Sequence, residues 1–131
     1  MSRVFAYDFD TVRFFPPGPV IDVHVSAPDT PENSQTLSIL IDTGADASIL
    51  PINVLQQIQA PLTRMATIRG IHDIGRPTSL YHVAMRIGDY TLDQIEVAST
   101  TQPSQVVIGR DVLTYMVVTF DGPAGATLIT K

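Results

Sequence analysis

Apolar and polar residues alternate along Val20-Ile21-Asp22-Val23-His24-Val25-Ser26, the period of a half-buried strand, and this places Ile21, Val23 and Val25 inward. Ala27 to Gln35 is crowded with Pro, Asp, Asn and Ser, so it reads as a loop that returns the chain into a second strand, Thr36 to Ile41. That strand runs directly into Asp42-Thr43-Gly44. Pro51 stands at a first helical position, and Ile52, Leu55 and Ile58 recur at helical spacing until Pro61 stops the run. Between Met65 and Leu80, β-prone residues flank Gly70 and Gly75, which predicts a hairpin. Tyr81 to Ile87 and Tyr90 to Val97 predict a second, joined by the two-residue loop Gly88-Asp89. Val106-Val107-Ile108 then leads through Gly109 into a short helix from Asp111 to Met116. A third hairpin, Val117 to Phe120 with Ala126 to Thr130, turns at Asp121-Gly122-Pro123.

The two halves repeat one pattern: a pair of strands, an apolar triplet, a turn with glycine, and a short helix. Antiparallel hairpins dominate and the helices are short, so the class is all-β and barrel-like with one or two short helices. A chain of 131 residues makes a single domain. The composition is globular, 44% hydrophobic against 16% charged. A net charge of −5, with only 8 Lys and Arg and no cluster among them, disfavours a nucleic-acid partner. The absence of cysteine removes disulfides, thiolate catalysis and thiolate metal sites. No apolar run is long enough for a membrane span, and Asp8, Asp10 and Arg13 interrupt the first fifteen residues where a signal peptide would be apolar. A cytoplasmic location is the expectation, with no membrane association.

The candidate chemistry lies at Asp42-Thr43-Gly44. A strand can deliver the carboxylate rigidly toward the interior, Gly44 permits a sharp turn with close backbone approach, and the Thr43 hydroxyl can fix that turn. The bare tripeptide is also an ordinary strand-terminating turn. The longer string Leu40-Ile41-Asp42-Thr43-Gly44-Ala45-Asp46-Ala47-Ser48-Ile49-Leu50, followed downstream by Val107-Ile108-Gly109-Arg110-Asp111-Val112-Leu113, resembles the retropepsin-like aspartic peptidases, the retroviral type and its cellular relatives. The resemblance spans Val20 to about Phe120. It implies a closed β-barrel of the acid-protease type, residues 20–131 behind an N-terminal extension of residues 1–19, that works as a homodimer on a peptide or protein substrate without a cofactor or metal. Asp42, Thr43 and Gly44 fall on the catalytic turn. Asp46 and Arg110 fall on positions that form an ion pair behind it. Ala45, Asp46, Ile68, Gly70, Ile71 and Ile108 fall on substrate-contacting positions, with Ile68 to Ile74 as the flap.

Elementary chemistry supports the dimer independently. Hydrolysis by carboxylates needs two of them sharing a proton, and one Asp-Thr-Gly supplies one. A single-chain enzyme with two such lobes would be about twice this length, so the second carboxylate is most simply Asp42 of another copy related by two-fold symmetry. The flap sequence Gly70-Ile71-His72-Asp73-Ile74-Gly75 departs from the glycine-dense retroviral tip, and residues at both ends extend beyond the shared core. His24, His72 and His82 match no metal-binding spacing, and Phe5, Phe14 and Phe15 read as packing or interface residues. A rival from another class is a peptidase-fold module that no longer cuts and is retained for dimerisation or peptide binding.

Overall fold

The computed structural model describes residues 3–68 and 75–131. In chain order the elements are β1 (Val4–Asp8), β2 (Val20–Ser26), β3 (Gln35–Ile41), β4 (Ile49–Pro51), α1 (Ile52–Gln57), β5 (Leu62–Ile68), β6 (Arg76–Ile87), β7 (Tyr90–Thr100), a single 3-10 turn (Pro103–Gln105), β8 (Val107–Ile108), α2 (Arg110–Leu113), β9 (Val117–Asp121) and β10 (Ala126–Thr130). The protein is mostly β, with two short helices among the described residues.

Seven strands form one sheet in the order β2-β3-β8-β4-β7-β6-β5, and β2 also pairs with β6. Ile21, Val23 and Val25 on the inward face of β2 are fully buried, as their alternation predicts. They meet Ile39 and Ile41 from β3, Leu50 from β4, Val83, Met85 and Ile87 from β6, and Ile108 from β8 in one core. Leu55 and Ile58 from the helical run close its end, with Val54 added beside them. Pro51 is the N-cap of α1 in an extended conformation rather than its first helical residue, because it also ends β4, which pairs with β7.

Two of the predicted hairpins share a strand. β6 runs twelve residues without a break, pairing with β5 along its first half and with β7 along most of its length. The predicted boundary at Leu80–Tyr81 has no counterpart, since β-prone residues continue through it. Gly88 in the β6–β7 turn has φ +57°, and a Cβ there would sit 2.8 Å from the Phe5 ring. Glycine is required twice over, by the left-handed backbone and by the aromatic packed on it. The helix expected from Asp111 to Met116 is shorter and begins earlier, at Arg110.

The residues before Val20 are tied into the rest of the chain. β1 pairs with β10, and β10 with β9, giving a second, three-stranded sheet that joins the two ends of the chain. Between β1 and β2 the loop is closed by reciprocal backbone bonds of Asp10 and Gly18, at 2.8 and 3.0 Å. The Asp10 carboxylate accepts from the backbone N–H groups of Val12 and Arg13 and from the Arg13 guanidinium, whose other nitrogen donates to the Ser38 carbonyl of β3 at 3.1 Å. Phe14 packs over Gly18, whereas Phe15 is 99% exposed, so of the three aromatics expected to pack or to form an interface it is the one that does not pack within the chain. The Pro19 carbonyl then accepts from Ile41, the residue before Asp42. This loop therefore braces the strand that carries the candidate site.

The bonds from Arg13, backbone first and guanidinium second, hold the Asp10 carboxyl down at about 2. A carboxyl depressed in the folded state stabilises the fold above its unfolded value, near 3.8, and that contribution disappears as pH falls toward about 2. Asp10→Asn is accordingly expected to lower the melting temperature at pH 6 to 7, with the gap to wild type narrowing from about pH 4 downward. Calorimetry at a series of pH values checks it; a gap that stays constant down to pH 2 would show that the charge on Asp10 contributes nothing.

Candidate active site

Asp42 stands one residue past the end of β3, where the chain leaves the sheet. Its backbone N–H donates to the Ile108 carbonyl of β8 at 2.9 Å, extending the parallel register in which Leu40 faces Val107 and Ile41 faces Ile108. One carboxylate oxygen of Asp42 accepts from the Gly44 N–H at 2.9 Å, and the Ala45 N–H donates back to the Asp42 carbonyl at 3.2 Å. These bonds are those of an Asx turn, in which the side chain copies a backbone turn and is itself oriented by it.

Below the turn, β8 passes between β3 and β4, and Gly109 follows it. A Cβ on Gly109 would lie 2.8 Å from the Ala45 carbonyl oxygen and 2.9 Å from the Ala47 backbone, so only glycine allows the two segments to meet. Arg110 then donates its N–H to the Ala45 carbonyl at 2.9 Å, and its guanidinium donates to the Thr43 carbonyl at 2.7 Å and pairs with the Asp46 carboxylate. Sequence reasoning placed Arg110 against Asp46, and the structure brings them together. The pair is exposed in the single chain: the Asp46 side chain is 88% exposed and that of Arg110 53%.

Ser48 and Asp111 were not singled out from the sequence. Ser48 is fully buried. Its hydroxyl donates to Asp111 at 2.7 Å and accepts from the Gly109 N–H at 2.9 Å, while its own N–H donates to the other Asp111 oxygen at 2.9 Å. The faint signal was a lone hydroxyl between Ala47 and Ile49 in an otherwise apolar stretch, since such a group must find buried partners.

Asp42, Thr43 and Gly44 are exposed, and Ala45 is half-buried. The expected delivery of the carboxylate toward the interior is corrected: the strand stops short and the turn presents Asp42 on the surface. Ile108 is fully buried, so in this chain it meets Asp42 through its backbone carbonyl while its side chain fills the core. Gly70 and Ile71, with the rest of the expected flap tip, lie outside the described residues; Ile68 is the last residue of β5. His24 meets Thr36 at 2.7 Å and His82 meets Gln94 at 3.3 Å, and no group of three or more candidate metal ligands occurs among the described residues. No helix among those residues is long and apolar enough to cross a membrane.

Two open depressions, of about 610 and 570 Å³, lie along the Thr100–Gln105 segment, one toward β3 and α1 and the other toward the β5–β6 hairpin. Asp42 lines neither. Ser48→Ala would leave the buried Gly109 N–H without its acceptor, a loss of roughly 1–3 kcal/mol, while Asp111 keeps the backbone N–H groups of Ser48 and Val112. Arg110→Ala removes an exposed pair and is expected to cost about 1 kcal/mol or less in the separated subunit. Urea unfolding of both variants at a concentration where the chain is monomeric checks the order, which is Ser48 above Arg110.

The fold has counterparts in solved structures. A retropepsin-like aspartic protease from Rickettsia conorii superposes with a TM-score of 0.65 at 15% identity, over 99% of this chain and 94% of that one. The EIAV protease complexed with the inhibitor HBY-793 superposes with a TM-score of 0.55 at 20% identity, over 80% of this chain and 90% of that one. No curated protein matches the chain. The profile of the family described as "gag-polyprotein putative aspartyl protease" matches residues 31–115, which include the Asp42 turn, Gly109 and Arg110. With well over half of its length matched, the chain belongs to the gag-polyprotein aspartyl protease family.

Proposed function

We propose that this protein is an aspartic endopeptidase whose active site is made by two copies of the chain, each contributing Asp42. The observation that carries the reading is the exposed Asp42 carboxylate, oriented by the Gly44 N–H at the end of a braced strand. A second copy related by a two-fold axis supplies the matching carboxylate, and the Thr43 hydroxyl then has the partner's turn within reach. The ring of pairings from β2 through β3, β8, β4, β7 and β6 back to β2 supports a closed barrel beneath the site.

In the dimer one Asp42 is ionised and the other holds the shared proton, because like charges at contact do not both ionise. The ionised carboxylate takes a proton from a water molecule as its oxygen adds to the peptide carbonyl carbon. The protonated carboxyl donates to the carbonyl oxygen, giving a neutral tetrahedral diol. Collapse of the diol breaks the C–N bond: the nitrogen leaves as an amine with the proton first taken from water, one diol hydroxyl returns its proton to the carboxylate that had donated, and the carboxylic acid product carries the new oxygen. Arg110, pinned between Thr43 and Asp46, positions the turn. Ala45, Asp46 and the flap, with Ile68, Gly70 and Ile71, are the proposed contacts to an extended peptide held by β-augmentation.

Asp42→Asn is expected to give a folded chain that cleaves nothing in a diverse peptide mixture. Wild-type cleavage should follow a bell-shaped dependence on pH with an acidic to mildly acidic optimum, since the competent pair holds one proton. It should also rise more steeply than linearly with enzyme concentration near the dimer dissociation constant. Cleavage by Asp42→Asn at the wild-type rate, or a rate that climbs steadily above neutral pH, would remove Asp42 from the mechanism. A dimer that binds peptides without cutting them would leave the fold serving as a binding module.

A further inference from the structure

We infer that the larger depression, between β3, α1 and the Thr100–Val106 segment, is a second binding site, which takes the C-terminal end of a peptide: its free carboxylate meets Arg13, its apolar last residue meets the walls, and its backbone meets the open edge of β3. Asp42 is not among the lining residues, and the site needs no cleavage to be occupied.

β3 pairs with β2 along its length, but on its other side β8 covers only Leu40 and Ile41. Thr36 to Ile39 are left with that side open among the described residues, and they form one wall of the depression. Backbone phase shows which groups face it. Asp42 sends its N–H to Ile108 of β8, whereas Ile41 sends its own to Pro19 on the β2 side. Successive residues of a strand alternate in direction, so Thr36 and Ser38 turn their N–H and C=O groups the same way as Asp42. The Ser38 carbonyl is reached there by Arg13, whose Nη2 donates to it at 3.1 Å. At the far end Gln35 donates its side-chain amide to the Gln57 side chain at 2.7 Å, which ties β3 to the end of α1 and fixes the spacing of those two walls.

The chemistry of the lining selects the guest. A volume of about 610 Å³ is that of a small-ligand or short-peptide site, with apolar surface from Leu37, Ile52, Pro103 and Val106. Among the described residues that line it, Arg13 alone is charged, in a chain of net charge −5. Its Nε is held by Asp10 and its Nη2 by Ser38, while Nη1 makes no hydrogen bond among the described residues and the side chain is 51% exposed. A guanidinium fixed in this way, with donors to spare, favours a carboxylate. A fatty acid would suit the cation and the apolar walls but leave the backbone groups of Thr36 and Ser38 unused. An extended peptide suits all three, by strand addition and by capture of its terminal carboxylate. Since β8 takes over the edge at Leu40, beside the Ser38 that Arg13 holds, a guest strand must end there. Hydrolysis of a peptide bond leaves one product with such an end, so under the proposed function the protein makes ligands for this site. Ile52, Thr100, Thr101 and Gln102 also line the second depression, so an occupant touches a wall that the two share.

The test is a titration followed by nuclear magnetic resonance on the full chain carrying Asp42→Asn, so that no probe is cut. The probe is acetyl-Val-Thr-Val-Leu with a free carboxylate, beside the same peptide as its C-terminal amide and beside sodium decanoate. The acid should shift the backbone signals of Thr36, Ser38 and Asn53 and bind at least about tenfold more tightly than the amide. Adding Arg13→Gln should bring the acid down to the affinity of the amide. Adding Asn53→Trp, which sets an indole in the depression and leaves Arg13 in place, should remove binding of both peptides while the spectrum of the folded chain is retained. If either substitution prevents folding, the comparison of acid with amide decides. Equal affinities for acid and amide, decanoate bound as tightly as the acid at the same signals, shifts confined to the Asp42 turn and the second depression, or no shift at millimolar peptide would each overturn the assignment. The readout is binding by a chain that carries no Asp42 carboxylate, so a wild type that cleaves nothing at any pH would remove the peptidase reading and leave this result as it stands.

Discussion

The contact between Gly109 and the backbone of Ala45 and Ala47 is the constraint on which the rest of the site depends. With no side chain in the way, the two segments approach to a distance that a Cβ would forbid. That approach allows the Arg110 N–H to reach the Ala45 carbonyl and sets the Arg110 guanidinium beside Thr43 and Asp46. It also lets one buried hydroxyl, that of Ser48, accept from the Gly109 N–H and donate to Asp111. The two lobes of the internal repeat are joined by this cluster of polar bonds, which has geometric requirements that an apolar contact would lack. The direction of the Asp42 carboxylate is one result.

That rigidity has a consequence for chemistry. Asp42 is held by its own turn, through Gly44, and by β8, through Ile108, yet it faces outward. Asp42 lines neither of the two depressions. On the proposed reading this preorganised acid is half of a catalytic arrangement. The exposed ion pair behind it fits the same view: Arg110 and Asp46 contribute little to a lone subunit and gain strength if docking removes water from them.

Much of this was legible in the sequence where local pattern and burial agree. Alternation gave Ile21, Val23 and Val25, all buried, and helical spacing gave Leu55 and Ile58, also buried. The Asp-Thr-Gly turn and its Gly-Arg counterpart were legible because each residue is there for a backbone or charge reason that few others satisfy. What escaped depends on partners far along the chain. Ser48 is polar in an apolar run, but its meaning lies in Asp111, sixty-three residues on. The unbroken β6 was divided in two because its turn signals are weak and its pairing with β5 and β7 is a tertiary choice. Asp42 was expected inside because the strand before it is apolar; burial of the strand does not carry over to the turn beyond it.

The three-stranded sheet shows how the chain's ends serve its middle. β10 lies between β1 and β9 and buries Ile129 against the core, while the Tyr90 hydroxyl donates to the Thr130 carbonyl at 2.5 Å. Both termini are thereby satisfied within one subunit, and the loop after β1 is free to brace β3 through Arg13 and Pro19. With its first and last strands paired to one another and the loop between β1 and β2 bonded to β3, the chain holds the strand before Asp42 from a second side, so the direction of the turn depends on contacts distant in sequence as well as on its own Asx geometry.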